Sequence, residues 1–114
     1  MSFSHVVVDE LLAPLARTTS GVSQGINKGD VREGLLLVEV SAVSGTSPTL
    51  DVKLQTSPDG ASWFDLPGGA LAQITASGNY ALKVANFGRF IRVAYSIGGT
   101  TPSFAFKATF VGKT

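Results

Sequence analysis

The sequence predicts an all-β fold: a two-sheet antiparallel sandwich of seven or eight strands, jelly-roll or immunoglobulin-like, with an extended N-terminal arm. Apolar and polar residues alternate in short runs, which is typical of strands with one buried face. Clusters of Gly, Pro, Asn, Asp and Ser separate these runs about every 8–12 residues, a spacing typical of sandwiches. Strong helix formers are few after residue 16, and the 114-residue length fits one domain.

A β-hairpin is the clearest local element. Leu50, Val52 and Leu54 alternate with polar residues, so they lie on one face of a strand. Residues 57–60, Ser-Pro-Asp-Gly, then favour a tight turn. The apolar pattern resumes near Trp63, which predicts a short return strand.

The same two-residue period predicts the remaining strands. Both faces of the first of them carry leucines, since Leu35 and Leu37 alternate with Leu36. That strand is therefore central, or its second face meets a partner. The strands are expected at residues 34–41, 70–75, 80–84, 90–97 and 103–111, with loops at 44–48 and 98–102 whose sequences, GTSP and GTTP, resemble each other.

Residues 1–33 form the predicted arm, and residues 34–114 form the predicted sandwich domain. In the arm we expect a short strand at residues 6–8, a helical turn at 9–13 that Pro14 limits, and a loop at 17–29. The arm either contacts another subunit or protein, or adds an edge strand to its own sandwich. Its apolar contact residues are Val6, Val7, Val8, Leu11, Leu12 and Leu15.

Charge and composition argue against several classes of partner. Nine Lys plus Arg stand against eight Asp plus Glu without a basic cluster, which argues against nucleic-acid binding. Without cysteine there is no disulfide and no thiolate metal site. No apolar run approaches the length of a membrane span, and the N-terminus lacks the features of a signal peptide. We therefore expect synthesis in the cytoplasm, with no membrane, cofactor or metal.

The candidate catalytic residues lack the partner residues and the local structure that catalysis requires. Ser23 lies in a GxSxG pattern, but the sequence after it is a poor helix start. The single histidine, His5, precedes this serine, whereas that fold places its histidine last. Asp59 reads as a turn former and Asp65 as a solvated residue at a strand edge, not as an acid–base pair. The sequence therefore predicts a protein that is not an enzyme.

Two adjacent aromatic residues support a second function. Trp63 and Phe64 are neighbours in a predicted strand, so one of them points away from the core. An outward aromatic ring suits stacking on a sugar. A carbohydrate-binding module of a phage tail or fibre, used in host attachment, is therefore the alternative prediction.

Residues 34–113 resemble capsid decoration proteins of tailed bacteriophages, also called cement or head auxiliary proteins. The most particular pieces are Ser57–Trp63, SPDGASW, and Asn86–Tyr95, NFGRFIRVAY. The resemblance implies a structural virion protein on the capsid surface, which binds the outer side of the major capsid protein and stabilises the icosahedral shell. It also implies self-association, as a homotrimer.

Overall fold

The computed structural model describes residues 6–113. In this part of the chain all regular structure is β-strand, as predicted, and there is no helix that could span a membrane. The strands are β1 (Val6–Arg17), β2 (Gly21–Val22), β3 (Ile26–Asn27), β4 (Glu33–Ser57), β5 (Phe64–Ala70), β6 (Gly78–Ala85) and β7 (Phe90–Lys113).

Hydrogen bonds join the seven strands into one antiparallel sheet. Its main order is β1-β7-β4-β5, with β2 and β3 added to β7 and β6 added to β4. The sequence predicted two sheets, whereas the strand pairing is continuous because β4 and β7 each join two predicted strands and the loop predicted between them.

Strands β4 and β7 pair along their whole length, from Glu33 with Lys113 to Ser57 with Phe90. β4 and β7 thus form one long two-stranded ribbon. The prediction of loops at residues 44–48 and 98–102 is wrong, because these two segments pair with each other within this ribbon. Register shifts on either side of the Thr46–Thr100 pair mark β-bulges there. Bulges bend and twist a strand without ending it.

The two bulged segments are near-copies of each other. The pattern GTSPTLDVK at residues 45–53 returns as GTTPSFAFK at 99–107. Their backbones also match, with φ of 112° at Gly45 and 114° at Gly99. A Cβ on Gly45 would lie 2.7 Å from the Thr101 carbonyl oxygen, and one on Gly99 would lie 2.8 Å from that of Ser47. Both positions therefore require glycine, for space as well as for conformation.

The bulges fold the ribbon back on itself. Tyr95 and Phe106 would lie about 36 Å apart on a straight strand, but their ring centroids are 5.4 Å apart. The rings of Phe87 and Phe110 make a similar edge-to-face contact, at 5.6 Å. Inward residues of both halves join in one core, and its fully buried large side chains are Phe104, Phe106, Phe110, Leu36, Leu50, Leu54, Ile74, Ile91, Val38, Val52 and Val93.

The remaining strands extend the two halves of the ribbon. β1 and β6 flank the half formed by residues 33–43 and 104–113, while β2, β3 and β5 flank the other half. The helical turn predicted at residues 9–13 is wrong, since these residues continue β1 along β7. The strand predicted at 70–75 reduces to the end of β5 and a single bridge between Ile74 and Leu50.

Candidate interaction surfaces

The predicted apolar contact residues of the arm lie on or beside β1, an edge strand paired with β7 of the same chain. Three of them face solvent: Val6, Val8 and Leu15, with exposed fractions of 58%, 65% and 59%. Leu12 is buried in the core, while Val7 and Leu11 are half-buried. The structure thus divides the predicted face into exposed residues and residues that hold β1 in place.

The end of β1 forms an exposed apolar segment, residues 13–16 (Ala-Pro-Leu-Ala), which we call the β1 knuckle. One extra residue between Leu12 and Leu15 shifts the pairing with β7. Pro14 suits this irregular edge because it has no N–H to donate. The exposed Leu15 is thereby carried on a bulge at the outer edge of the sheet.

Arg17 fixes the shape of the β1 knuckle. Its Nη1 donates to the Phe106 carbonyl at 2.7 Å, and its Nη2 donates to the Ala13 carbonyl at 2.8 Å. The guanidinium carbon lies 4.8 Å from the centroid of the Phe106 ring, a cation–π distance. The knuckle is therefore preorganised, which lowers the entropy cost of binding a partner there.

An ion pair holds the segment between β3 and β4 against β1. Lys28 Nζ lies 2.6 Å from Asp9 Oδ2, and the two side chains are 12% and 30% exposed. Asp9 Oδ2 is shielded from solvent, and among residues 6–113 the Lys28 ammonium is its charge partner. Removing either charge would leave the other partly buried without compensation, which is costly.

Ser23, the serine of the GxSxG pattern, is a buried hydrogen-bonding residue. Its Oγ accepts the Val93 N–H at 2.8 Å and donates to the Gln24 carbonyl at 3.2 Å. Strands β2 and β3 flank it, without the helix that a nucleophile elbow requires. His5, the other candidate, lies outside the described residues.

Trp63 and Phe64 have different surroundings. The Arg92 guanidinium carbon lies 4.4 Å from the centroid of the Trp63 ring. Gly25 lies against the edge of the same ring, where a Cβ would come within 2.8 Å. Trp63 is therefore half-buried with one ring face occupied, while Phe64 is 58% exposed.

A polar network continues from Arg92 across the sheet. Arg92 Nε donates to Gln55 Oε1 at 2.8 Å, Gln55 Nε2 donates to Asp65 Oδ1 at 2.9 Å, and Lys53 Nζ donates to Asp65 Oδ2 at 3.0 Å. The Gln55 amide and then the Lys53 ammonium hold the pKa of the Asp65 carboxyl below 3.8, its ordinary value. These polar groups satisfy one another.

Asp59 is the turn former that its sequence context indicated. Its Oδ1 accepts the N–H groups of Ser62 and Ala61, at 3.0 and 2.9 Å. These two bonds, followed by one from the Ser57 hydroxyl, hold the pKa of the carboxyl below 3.8. Asp59 and Asp65 thus have separate partners. Between residues 6 and 113, no group of three His, Cys, Asp or Glu side chains is placed to hold a metal ion.

Comparison with known proteins shows similarity in fold but not in sequence. No protein-family model matches the chain, and no curated protein matches it either. The SPBc2 prophage-derived protein YomS aligns with a TM-score of 0.55 and 15% identity, over 97% of this chain and 96% of that one. A chain in the structure of the infectious bursal disease virus Gx strain aligns with a TM-score of 0.62 and 10% identity.

The alignment with the virus chain covers 98% of this chain but 32% of the other, so this protein spans about a third of that chain's length. PirA aligns with a TM-score of 0.49 and 15% identity. At 15% and 10% identity, the alignments with YomS and with the virus chain establish a similarity in fold alone. The YomS alignment covers nearly the whole of both chains.

Sequence reasoning missed three features of these surfaces. The β1 knuckle depends on Arg17, whose role is invisible without its partner on β7. Val22 is 51% exposed on β2, in a segment that composition marks as loop. Arg92 covers the Trp63 ring, and its place there depends on the register of β4 and β7, which pairs Arg92 with Gln55. The outward leucines Leu35 and Leu37 were detectable, since the alternation in β4 places them on the second face.

Proposed function

We propose that this chain is a structural protein of a phage virion, which decorates and stabilises the capsid by binding the outer surface of major capsid protein subunits. The observation that carries the proposal is the β1 knuckle: an exposed, preorganised apolar segment at the sheet edge of a domain whose described polar clusters are satisfied internally. The resemblance of residues 34–113 to decoration proteins and the similarity in fold to a prophage protein and a virus chain support it.

The finer features of the fold agree with this proposal. The contact between Tyr95 and Phe106 supports a sandwich of the jelly-roll type, formed when one long ribbon folds across its middle. A domain of this kind has no need of a pocket, since it acts by burying surface against its partner. The location on the capsid surface and the homotrimer that the resemblance implies stay predictions.

Co-sedimentation with capsid shells tests the proposal. Shells assembled from the major capsid protein of the same genome are mixed with this protein and pelleted. We expect the protein in the pellet, and Leu15→Asp should reduce that fraction at least tenfold, because a charge in an apolar contact costs more than about 1.4 kcal/mol. Ser20→Ala, an exposed change outside the knuckle, is the control. Wild-type protein that stays in the supernatant contradicts the proposal.

Carbohydrate binding is the second candidate, and the 58% exposure of Phe64 favours it. A sugar would stack on the Phe64 ring, on the face of β5 opposite to Asp65 and its polar network. Trp63 precedes Phe64 and is the only tryptophan, so its fluorescence reports binding. Titration with a panel of host surface glycans should change the emission in the wild type and not in Phe64→Ala. Unchanged wild-type emission contradicts this alternative.

A further inference from the structure

The sheet half formed by β6, β4, β7 and β1 has an outer face, which is the face turned away from the core. Among residues 6–113, the apolar side chains of this face are not part of the core cluster. Gly34, Leu36, Val38 and Val40 are buried inward, so the intervening residues of β4 point outward. We call this surface the outer face. Its apolar side chains are Val6, Val8, Leu35, Leu37, Ala81 and Val111.

Strand register makes these apolar side chains neighbours. Leu35 pairs with Val111 on one side and with Lys83 on the other, and Val8 pairs with Val111. In the next outward row Leu37 lies between Thr109 and Ala81. The apolar residues of the two rows form an apolar stripe centred on β4 and β7, with Lys83 of β6 and Glu10 of β1 at its margins. Val8, at its end, is 65% exposed, the most exposed large apolar side chain among the described residues.

On the two central strands of the outer face, the acids lie on β4 and the bases lie on β7. At one end of the stripe Glu33 of β4 pairs in register with Lys113 of β7. At the other end Glu39 of β4 pairs with Lys107 of β7, with Nζ and Oε2 at 3.3 Å. The central acids are therefore both on β4 and the central bases both on β7.

We infer that the outer face binds a second copy of this chain, through a two-fold axis that runs parallel to the strands between β4 and β7. That rotation exchanges β4 with β7 while keeping each residue at its level along the strands. It places Lys113 opposite Glu33 of the partner subunit, and Lys107 opposite Glu39 of the partner subunit. The apolar stripe meets itself, with Leu35 opposite Val111 of the partner subunit. Along β4 and β7 the face is thus complementary to itself in charge and in polarity, as an isologous interface must be. At its margins β6 meets β1 of the other copy, so Lys83 lies opposite Val8 of the partner subunit.

The size of the face places this dimer among weak, reversible complexes. Four strands about 4.8 Å apart and about seven residues long span roughly 15 by 24 Å, or about 400 Å² of plane per copy. Both copies together bury about 1,000 Å² of accessible surface, at the lower limit for specific interfaces. The fraction of dimer should therefore depend on protein concentration.

Sedimentation velocity of the full chain up to about 1 mM tests the inference. We expect a reversible monomer–dimer equilibrium. Val8→Lys should raise Kd at least tenfold, since it places a second positive charge opposite Lys83 of the partner subunit. Leu15→Lys is the matched control: the same charge on the same strand, at similar exposure, but on the knuckle. A monomer at all concentrations or equal effects of the two variants overturns the inference, and so does the homotrimer that the resemblance implies.

A charge exchange gives an independent test. Glu39→Lys alone should weaken the dimer because it places like charges together across the axis, and Lys107→Glu alone should do the same. The double variant should recover the wild-type Kd, but it also restores the ion pair within each chain. An equimolar mixture of the two single variants restores opposite charges only across the axis, while the pair within each chain stays broken. The mixture should therefore dimerise more tightly than either single variant, and failure to do so overturns the two-fold arrangement. Because Leu15 lies off the outer face, loss of shell binding in Leu15→Asp with an unchanged monomer–dimer equilibrium separates the two proposals.

Discussion

Ser23→Ala should destabilise the protein far more than the equivalent change at Ser20. Each serine accepts one N–H of β7 through its hydroxyl oxygen: Ser23 that of Val93 at 2.8 Å, and Ser20 that of Ile97 at 2.9 Å. The difference is burial, since Ser23 is 6% exposed and Val93 is fully buried, whereas the Ser20 bond is exposed. Alanine at 23 leaves the Val93 N–H buried without an acceptor.

An unsatisfied buried N–H costs about 1–3 kcal/mol. In a domain of about 100 residues this lowers Tm by about 4–8 °C per kcal/mol. At Ser20 water replaces the lost hydroxyl, so the free energy of unfolding should fall by no more than about 0.5 kcal/mol.

Urea unfolding followed by Trp63 fluorescence measures both changes, and thermal unfolding by circular dichroism provides Tm. Amide hydrogen exchange gives a local readout, since the Val93 amide should lose protection in Ser23→Ala and keep it in Ser20→Ala. Equal destabilisation by the two variants would refute the reasoning from burial. Unchanged exchange at Val93 would refute the assigned hydrogen bond.

Three further predictions concern Arg17, the two bulge glycines and Asp65. Arg17→Lys should lower the free energy of unfolding by about 1–3 kcal/mol. A lysine cannot donate to the carbonyls of residues 13 and 106 at the same time and also stack on the Phe106 ring. Urea unfolding measures this change, and the exposed Arg32→Lys is the control. Gly45→Ala and Gly99→Ala should each cost about 1–3 kcal/mol, and by similar amounts, because the two sites have matching strain; clearly unequal losses would contradict the equivalence of the bulges. Finally, the lowered pKa of Asp65 means that its carboxylate favours the folded state at neutral pH. That contribution should disappear as the pH falls below about 4 and through the folded pKa, so Asp65→Asn should flatten the acid side of a stability–pH profile.

Local pattern predicted the core better than the connections. The period of two placed Leu36, Val38 and Val40 on one face, and all three are buried. In the strand predicted at residues 103–111, the same period places Phe104 and Phe106 on one face, and both are buried. The segments GTSP and GTTP look like loops because glycine and proline usually end strands. Their conformation depends on their pairing with each other across the ribbon. Rules that consider only neighbouring residues in the sequence cannot identify that partner.

The arm shows the same limit at the level of single residues. Val6 and Val8 point outward, as alternation requires, and the same alternation would place Leu12 outward too. An extra residue between Glu10 and Leu12 shifts the register, so Leu12 turns into the core instead. The apolar residues of β1 could therefore be listed from the sequence, but their division between core, knuckle and outer face could not.

The pairing of β4 with β7 has a kinetic consequence. Ser57 meets Phe90 across a chain segment of about 30 residues, while Glu33 meets Lys113 across about 80, and closing the longer segment costs more entropy. Folding should therefore start where β4 ends and β7 begins. Pairing of the two strands should then proceed through the two bulges to the pair of Glu33 with Lys113. β1, which pairs with the last residues to be zipped, docks late, so nascent chains expose its apolar side chains longest.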